Sequence, residues 1–325
     1  MKKKKRLRRI RWHFEYWAVR LIFLAAGALP IRAMHSIAAF LGTLLFIFVP
    51  KRRRIAVENI ALAFPQMSPR EVKETADKSA ASFFLTFMEG IKYRSLLTAN
   101  DPARLIRESY PELEALFIKA KDAHEKANGC IFVTPHIGNW EFLPYISSAV
   151  GIALVVVVRP LDNPYLEKLI YANRAESGQL FIAKTNAMFT LQETLRKGKS
   201  IGMLPDQSTA KGVAITYFGR TATATPIPAM LAVLYKRPIV VIACCRKWKE
   251  GGFTGYVSDP ITPATGYESE KAEIIRLTQA TAHTMEEIIT QFPDQYLWMH
   301  NRWKTYKKQN LWAKDAVADK AGTMV

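Results

Sequence analysis

His136 and Glu141 are the side chains of this sequence whose types and spacing best suit proton transfer. They stand in the stretch Cys130-Ile131-Phe132-Val133-Thr134-Pro135-His136-Ile137-Gly138-Asn139-Trp140-Glu141. Its apolar, β-prone residues read as a buried strand that breaks at the proline. On one regular helix the two side chains would sit about 140° apart and out of reach, because each residue turns the chain by about 100°. A strand ending at His136 and a helix starting at Asn139 bring them together. Asn139 is a good N-cap, Gly138 permits close backbone approach, and Glu141 gains from the positive end of the helix dipole. A histidine oriented by a carboxylate, with no serine or cysteine beside it, suits a general base acting on a substrate hydroxyl. The same spacing also fits a strand-end histidine that only caps the following helix.

The elements that must position these groups begin at Gly129, where strands and helices start to alternate. Strands are predicted at 130–134, 153–158, 201–204, 214–218, 239–244 and 253–257, with helices at 140–148, 164–176, 187–196 and 226–235. A long helix over 268–292 and an aromatic segment over 296–303 follow. The pattern predicts an α/β fold with a mostly parallel sheet flanked by helices. In such a sheet the strand ends share one edge, so polar residues just past them converge with His136. Arg159 follows the second strand and Arg174 lies on the next helix, while Asp206-Gln207 follows the strand 201–204 and Arg220 the strand 214–218. Taken singly, each arginine also fits a solvated surface position, and Asp206 a turn cap.

Upstream, the formal net charge of +18 resembles a nucleic-acid signal until it is located. Residues 1–54 hold 14 Lys or Arg against the single Glu15, whereas the rest of the chain has 32 basic and 27 acidic residues. A basic run (Lys2 to Arg11), the aromatics Trp12, Phe14, Tyr16 and Trp17, two apolar stretches (21–31 and 33–50) and Lys51-Arg52-Arg53-Arg54 succeed one another. That order marks an anionic membrane interface and argues against nucleic acid as partner. The first stretch is too short to span a hydrocarbon core of about 30 Å. A helical hairpin bent at Pro30 would keep both basic clusters at one membrane face, and a single tilted helix kinked at Pro30 is the alternative. Ser68-Pro69-Arg70-Glu71 is a capping box, so a helix is predicted to run from there to about Tyr93. Cys130, Cys244 and Cys245 form neither a disulfide framework nor a metal-ligand spacing, and no cofactor is implied.

His136-Ile-Gly-Asn-Trp-Glu141, Arg159-Pro-Leu-Asp-Asn-Pro164, Asp206-Gln207, Phe218-Gly219-Arg220 and Trp298-Met-His-Asn-Arg302-Trp303-Lys304 together resemble the bacterial lipid A biosynthesis acyltransferases. Asn59-Ile-Ala-Leu-Ala-Phe64-Pro65 is a further block of that kind, so the resemblance covers residues 10–305. It implies the glycerolipid-acyltransferase fold, an inner-membrane anchor with the catalytic domain on the cytoplasmic side, and acyl transfer from acyl carrier protein to a lipid hydroxyl. Carried over, His136 is the base, Glu141 its partner, and Arg174 and Asp206 complete the site. The implied acceptor is a lipid A precursor; a lysophospholipid or a phosphatidylinositol mannoside is the alternative, because relatives acting on other glycolipids share the His136 block. The organisation expected is an anchor over 1–54, a transferase over 55–305 (helical lead-in 55–128, α/β core 129–305) and a polar tail over 306–325.

Overall fold

Two helices broken at Pro30 lead the chain into an α/β core whose sheet is covered on both faces. The computed structural model describes residues 2–93, 101–183, 187–248 and 252–304; the tail expected over 306–325 lies outside the described residues. Helices α1 (Lys2–Ala28), α2 (Ile31–Phe48), α3 (Pro50–Ala63) and α4 (Pro69–Lys92) come first. Pro30 precedes α2, where its missing N–H costs no helical bond. Helix α4 starts on the predicted box: the Ser68 hydroxyl accepts from the Glu71 N–H, and the Glu71 carboxylate accepts from the Ser68 N–H at 2.7 Å. After α5 (Pro102–Ser109) and α6 (Glu114–Ala127) come β1 (Ile131–Val133), α7 (Leu143–Ala149), β2 (Leu154–Val158), α8 (Pro164–Ala175), β3 (Leu180–Ala183), α9 (Ala187–Arg196) and β4 (Ser200–Met203). The order continues through β5 (Val213–Tyr217), β6 (Arg220–Ala224), α10 (Ile227–Tyr235), β7 (Ile239–Arg246), β8 (Phe253–Val257) and α11 (Glu270–Gln291).

The main sheet runs β3-β2-β4-β1-β7-β8, parallel except for the antiparallel edge strand β8. Alternate residues on a strand face opposite layers, and the core follows that period. Phe132, Val156 and Val240 pack with α6 and α7 on one face, while Ile131, Val155, Ile201 and Val241 pack with α9, α10 and α11 on the other. Burial on both faces explains why these strands read as continuous apolar runs. Cys244 and Cys245 are adjacent on β7 and point into different clusters, so adjacency does not make them a pair; all three cysteines are buried free thiols.

Three expectations need correction. The segment expected to be a main-sheet strand over 214–218 instead forms a separate antiparallel hairpin, β5 with β6. Phe218 and Gly219 both adopt positive φ (48° and 69°), the two-residue turn that reverses a twisted hairpin, so Arg220 opens the return strand rather than lying on the parallel edge. The helix after His136 begins at Leu143, not Asn139. Asn139 is fully buried: its N–H goes to Cys244 O at 2.7 Å and its side-chain amide donates to Glu89 at 2.8 Å, which turns the side chain toward α4, and its Oδ1, the atom a cap would use, meets no donor. Between the helices predicted over 164–176 and 187–196, where no strand is expected, the short run Leu180-Phe-Ile-Ala183 forms β3 on the open edge of the sheet, partly exposed.

Helices α1 and α2 both lie along α4. The bend between them meets the end of α4, where the Lys92 ammonium donates to Leu29 O at 2.7 Å. The basic half of α1 rests against the start of α8: Asn163 donates to Trp12 O and to the Glu15 carboxylate, and the His13 and Tyr165 rings lie 4.4 Å apart. The opposite side of α1 exposes Leu7, Ile10, Phe14, Trp17, Leu21 and Leu24, an apolar stripe at helical spacing that continues in Phe40, Ile47 and Phe48 of α2. Helix α2 is the described helix long and apolar enough to cross a membrane. It approaches α4 through small residues, and a Cβ on Gly42 would lie 3.0 Å from Ala81 N and 3.1 Å from Ala80 Cβ. Gly42→Leu should therefore lower the unfolding free energy of the detergent-solubilised protein by about 1–3 kcal/mol through overpacking. Gly27→Leu, where a Cβ meets nothing within 4 Å, serves as the control and should leave the thermal midpoint close to wild type.

Candidate active site

The parallel register of β1 and β4 builds the site. Val133 pairs with Met203, and His136 and Asp206 each lie three residues beyond that pair, at the same carboxyl edge. Each follows a proline that ends its strand, Pro135 and Pro205. The His136 Nδ1 lies 2.6 Å from Asp206 Oδ1, and the His136 backbone N–H donates to Asp206 Oδ2 at 2.9 Å. Both carboxylate oxygens therefore hold one residue. With Nδ1–H donating to Asp206, the ring's other nitrogen, Nε2, carries the lone pair. That nitrogen faces the exposed Gln207, whose amide is 3.5 Å away. The Trp140 ring meets the imidazole edge-on at 5.3 Å.

Electrostatics keep this carboxylate charged although it is buried. Burial alone would raise the Asp206 pKa, but the imidazole and N–H of His136, with the Arg302 charge nearby, outweigh it and hold it below the usual value. Arg302 is itself buried, donates to Thr223 O at 2.6 Å and lies over the Tyr217 ring at 4.7 Å. The turn is held from the far end of the chain as well. Leu297 N–H donates to His136 O at 3.0 Å, and Ile137 forms an antiparallel bridge with Tyr296. His300 accepts from the Ser208 N–H at 3.2 Å, which fixes the turn after Asp206 and requires a neutral imidazole. Burial, helped by the charges of Arg302 and Arg52 and opposed by Asp206, pushes its pKa down to about 4.

Glu141 does not contact the imidazole, contrary to the expectation from spacing. It sits in the turn before α7, and its two oxygens accept from Arg174 Nε at 3.1 Å and Nη2 at 2.8 Å. A bidentate arginine fork uses up the carboxylate, and the imidazole has Asp206 instead. The structure thus brings His136, Asp206 and Gln207 together, and separately joins Glu141 to Arg174. Arg159 is exposed beyond β2, and Arg220 stacks over Trp303 at 5.2 Å on the β5–β6 hairpin. The meeting of Asp206 with His136 had a sequence signal, the matching Ile131-Phe-Val-Thr-Pro-His136 and Ile201-Gly-Met-Leu-Pro-Asp206. The contributions of His300 and Arg302 had none beyond their place in the terminal block. Among the described residues, no three His, Cys, Asp or Glu side chains converge on a metal-sized site.

Comparison with known proteins points to one family. The family model for the bacterial lipid A biosynthesis acyltransferases matches residues 1–305. The chain is 25% identical over 305 residues to the lipid A biosynthesis lauroyltransferase of Escherichia coli K12, covering 90% of this chain and 93% of that protein. It is 24% identical over 305 residues to the palmitoleoyltransferase of the same organism, with the same coverage. A lipid A biosynthesis acyltransferase of Haemophilus influenzae is 23% identical over 298 residues, 90% of this chain and 89% of that protein.

The half-buried His300 and the buried Asp206 set an acid sensitivity. The folded His300 pKa, about 4, lies below its ordinary 6.5, so its contribution is present above 6.5 and is lost as pH falls from 6.5 toward 4. Asp206, held below its ordinary 3.8, contributes above that value and is lost only in stronger acid. His300→Gln keeps an acceptor for Ser208 but cannot titrate. Its unfolding free energy, followed by urea titration monitored by circular dichroism, should fall less between pH 7 and pH 5 than that of the wild type.

Proposed function

Since the chain belongs to the bacterial lipid A biosynthesis acyltransferase family and is an acyltransferase, we propose that it moves a fatty acyl chain from acyl carrier protein to a hydroxyl of a lipid A precursor, with His136 as general base. The observation that carries this reading is an imidazole whose Nδ1 is held by Asp206 and whose Nε2 faces the open side of the sheet edge. The acceptor hydroxyl gives its proton to Nε2 while its oxygen attacks the thioester carbonyl of the donor. The tetrahedral oxyanion then collapses, and the departing thiolate takes the proton back from the imidazolium. Asp206 stabilises that imidazolium and holds the tautomer, as the carboxylate of a triad does.

Glu141 serves this site through Arg174. The fork between them uses Nε and Nη2, which leaves Nη1 outside the pair to meet the oxyanion or an acceptor phosphate. Gln207 lies where the acceptor hydroxyl would approach Nε2, and Arg159 and Arg220 offer further cations for phosphate. His136→Ala should cut turnover by about 10²–10⁴-fold with folding intact. Asp206→Asn should follow it, whereas Glu141→Gln should act mainly through the requirement for substrate. Purified enzyme is given acyl carrier protein loaded with a fatty acid, and lipid A precursor and lysophospholipid side by side as acceptors. Near-wild-type turnover by His136→Ala would sink the mechanism, and preference for lysophospholipid would replace the acceptor.

The same reading divides the chain into a membrane anchor over 1–54 and a transferase over 55–305, with the transferase on the cytoplasmic side of the inner membrane. The contact of the basic half of α1 with α8 supports an α1 that lies along the membrane face rather than crossing it. Its outward apolar stripe and that of α2 rest in the anionic leaflet, with the basic clusters at the headgroups. A single cysteine placed at residue 3, after replacement of the three native cysteines, should resist an impermeant thiol reagent in intact spheroplasts and react once they are permeabilised. Labelling from outside would instead require a helix that crosses.

A further inference from the structure

Behind the turn that carries His136 lies a buried ion pair that makes no contact with the imidazole itself. Glu89 of α4 and Arg246 at the end of β7 are 4% and 3% exposed. Arg246 Nη2 lies 2.7 Å from Glu89 Oε2, and Nε is 2.8 Å from both carboxylate oxygens. The rest of the guanidinium is also engaged: Nη1 donates to the Ser82 hydroxyl at 2.7 Å and Nη2 to the Thr86 hydroxyl at 3.0 Å. Ser82, Thr86 and Glu89 lie at helical spacing on one face of α4, so a single helix supplies all these acceptors.

This cluster holds the turn at each of its next two residues. The Thr86 hydroxyl lies 2.9 Å from Gly138 O, and the Asn139 side-chain amide donates to Glu89 Oε2 at 2.8 Å. Gln295 accepts from the Arg246 N–H and donates to Arg246 O, both at 2.8 Å, while its own carbonyl accepts from Gly138 N–H at 3.3 Å. Gly138 has φ of 58°, and a Cβ there would lie 2.1 Å from Cys244 O, so the turn is pressed against β7 with no slack. A fully buried ion pair recovers in attraction little more than it costs in desolvation, and an apolar pair of the same volume would join α4 to β7 about as well. An apolar pair cannot aim hydrogen bonds at a backbone carbonyl and an asparagine two and three residues from His136.

We propose that Glu89 and Arg246 are positioning residues for His136, acting through Thr86 and Asn139 on the Gly138–Asn139 turn so that the imidazole meets Asp206. The proposal rests on His136 being the base. The test uses Thr86→Val, which keeps the shape and the β-branch, removes the hydroxyl facing Gly138 O, and leaves Arg246 on Glu89. The expected result is a kcat about tenfold lower, with KM for donor and acceptor within twofold of wild type, and recovery in Thr86→Ser. Glu89→Gln, if it folds, should lower kcat further with the same unchanged KM. All are assayed below their thermal midpoints, with His136→Ala alongside. Unchanged kcat in Thr86→Val while His136→Ala is inactive would overturn the positioning role alone. Turnover retained by His136→Ala would overturn the base assignment, and this proposal with it. A loss confined to KM, or one that follows only the fraction of protein unfolded, would reduce Glu89 and Arg246 to structural residues.

Discussion

The hydrogen bond from His136 Nδ1 to Asp206 is the interaction on which the rest of the site depends, and a sheet register produces it. Side chains on a strand alternate with a period of two, so a slip of one residue between β1 and β4 would turn His136 and Asp206 to opposite faces. Burial of both sheet faces prevents that slip, because it would also carry Ile131 and Val133 into the wrong layer. The core residues and the site are therefore held by one constraint. The short strand β1 suffices because it has a parallel neighbour on each side.

Charge is buried repeatedly along this edge of the molecule, and each instance is paired in a directional way. Asp206 has its two oxygens on His136, Glu141 has its two on Arg174, and Glu89 has Arg246, which also bonds Ser82 and Thr86. Exposed pairs such as Arg70 with Glu74 contribute little, since water screens them. The buried ones are costly to form and still costlier to break on one side. What they provide is orientation: each fixes a planar group whose direction decides whether a substrate atom can be reached.

Helix α4 joins the apolar helices α1 and α2 to the candidate site. One side of it receives α2 at Gly42 and Ala38, packed on Ala80 and Ala81. Another presents Ser82, Thr86 and Glu89 to the turn after His136. Its aromatic residues continue the connection, with Phe83 and Phe87 rings 5.4 Å apart and Phe87 6.4 Å from Trp140, which in turn meets the imidazole. The long apolar stripe of α1 and α2 and the candidate site are thus held in one fixed relation, as the proposed transfer to a hydroxyl at a lipid surface requires.

The sequence by itself determined the α/β class, the capping box of α4, the break at Pro30 and the strand-end placement of His136 and Asp206. Each is written in local signals: period-two apolar runs, a Ser-x-x-Glu, a proline at a helix start. Helices over 164–175 and 187–196 were legible for the same reason, their apolar spacing being sustained over three turns. Only the tertiary structure decided which carboxylate belongs to which cation. Glu141 is five residues from His136 and Asp206 is seventy, yet the parallel pairing of β1 with β4 brings the distant one to the imidazole and leaves the near one to Arg174. The hairpin that takes Arg220 off the parallel edge and the Glu89–Arg246 pair beneath the turn were equally hidden. Hydrogen bonds between residues far apart in sequence are set by strand order and helix packing, and nothing in the spacing of residues along a chain encodes those directly.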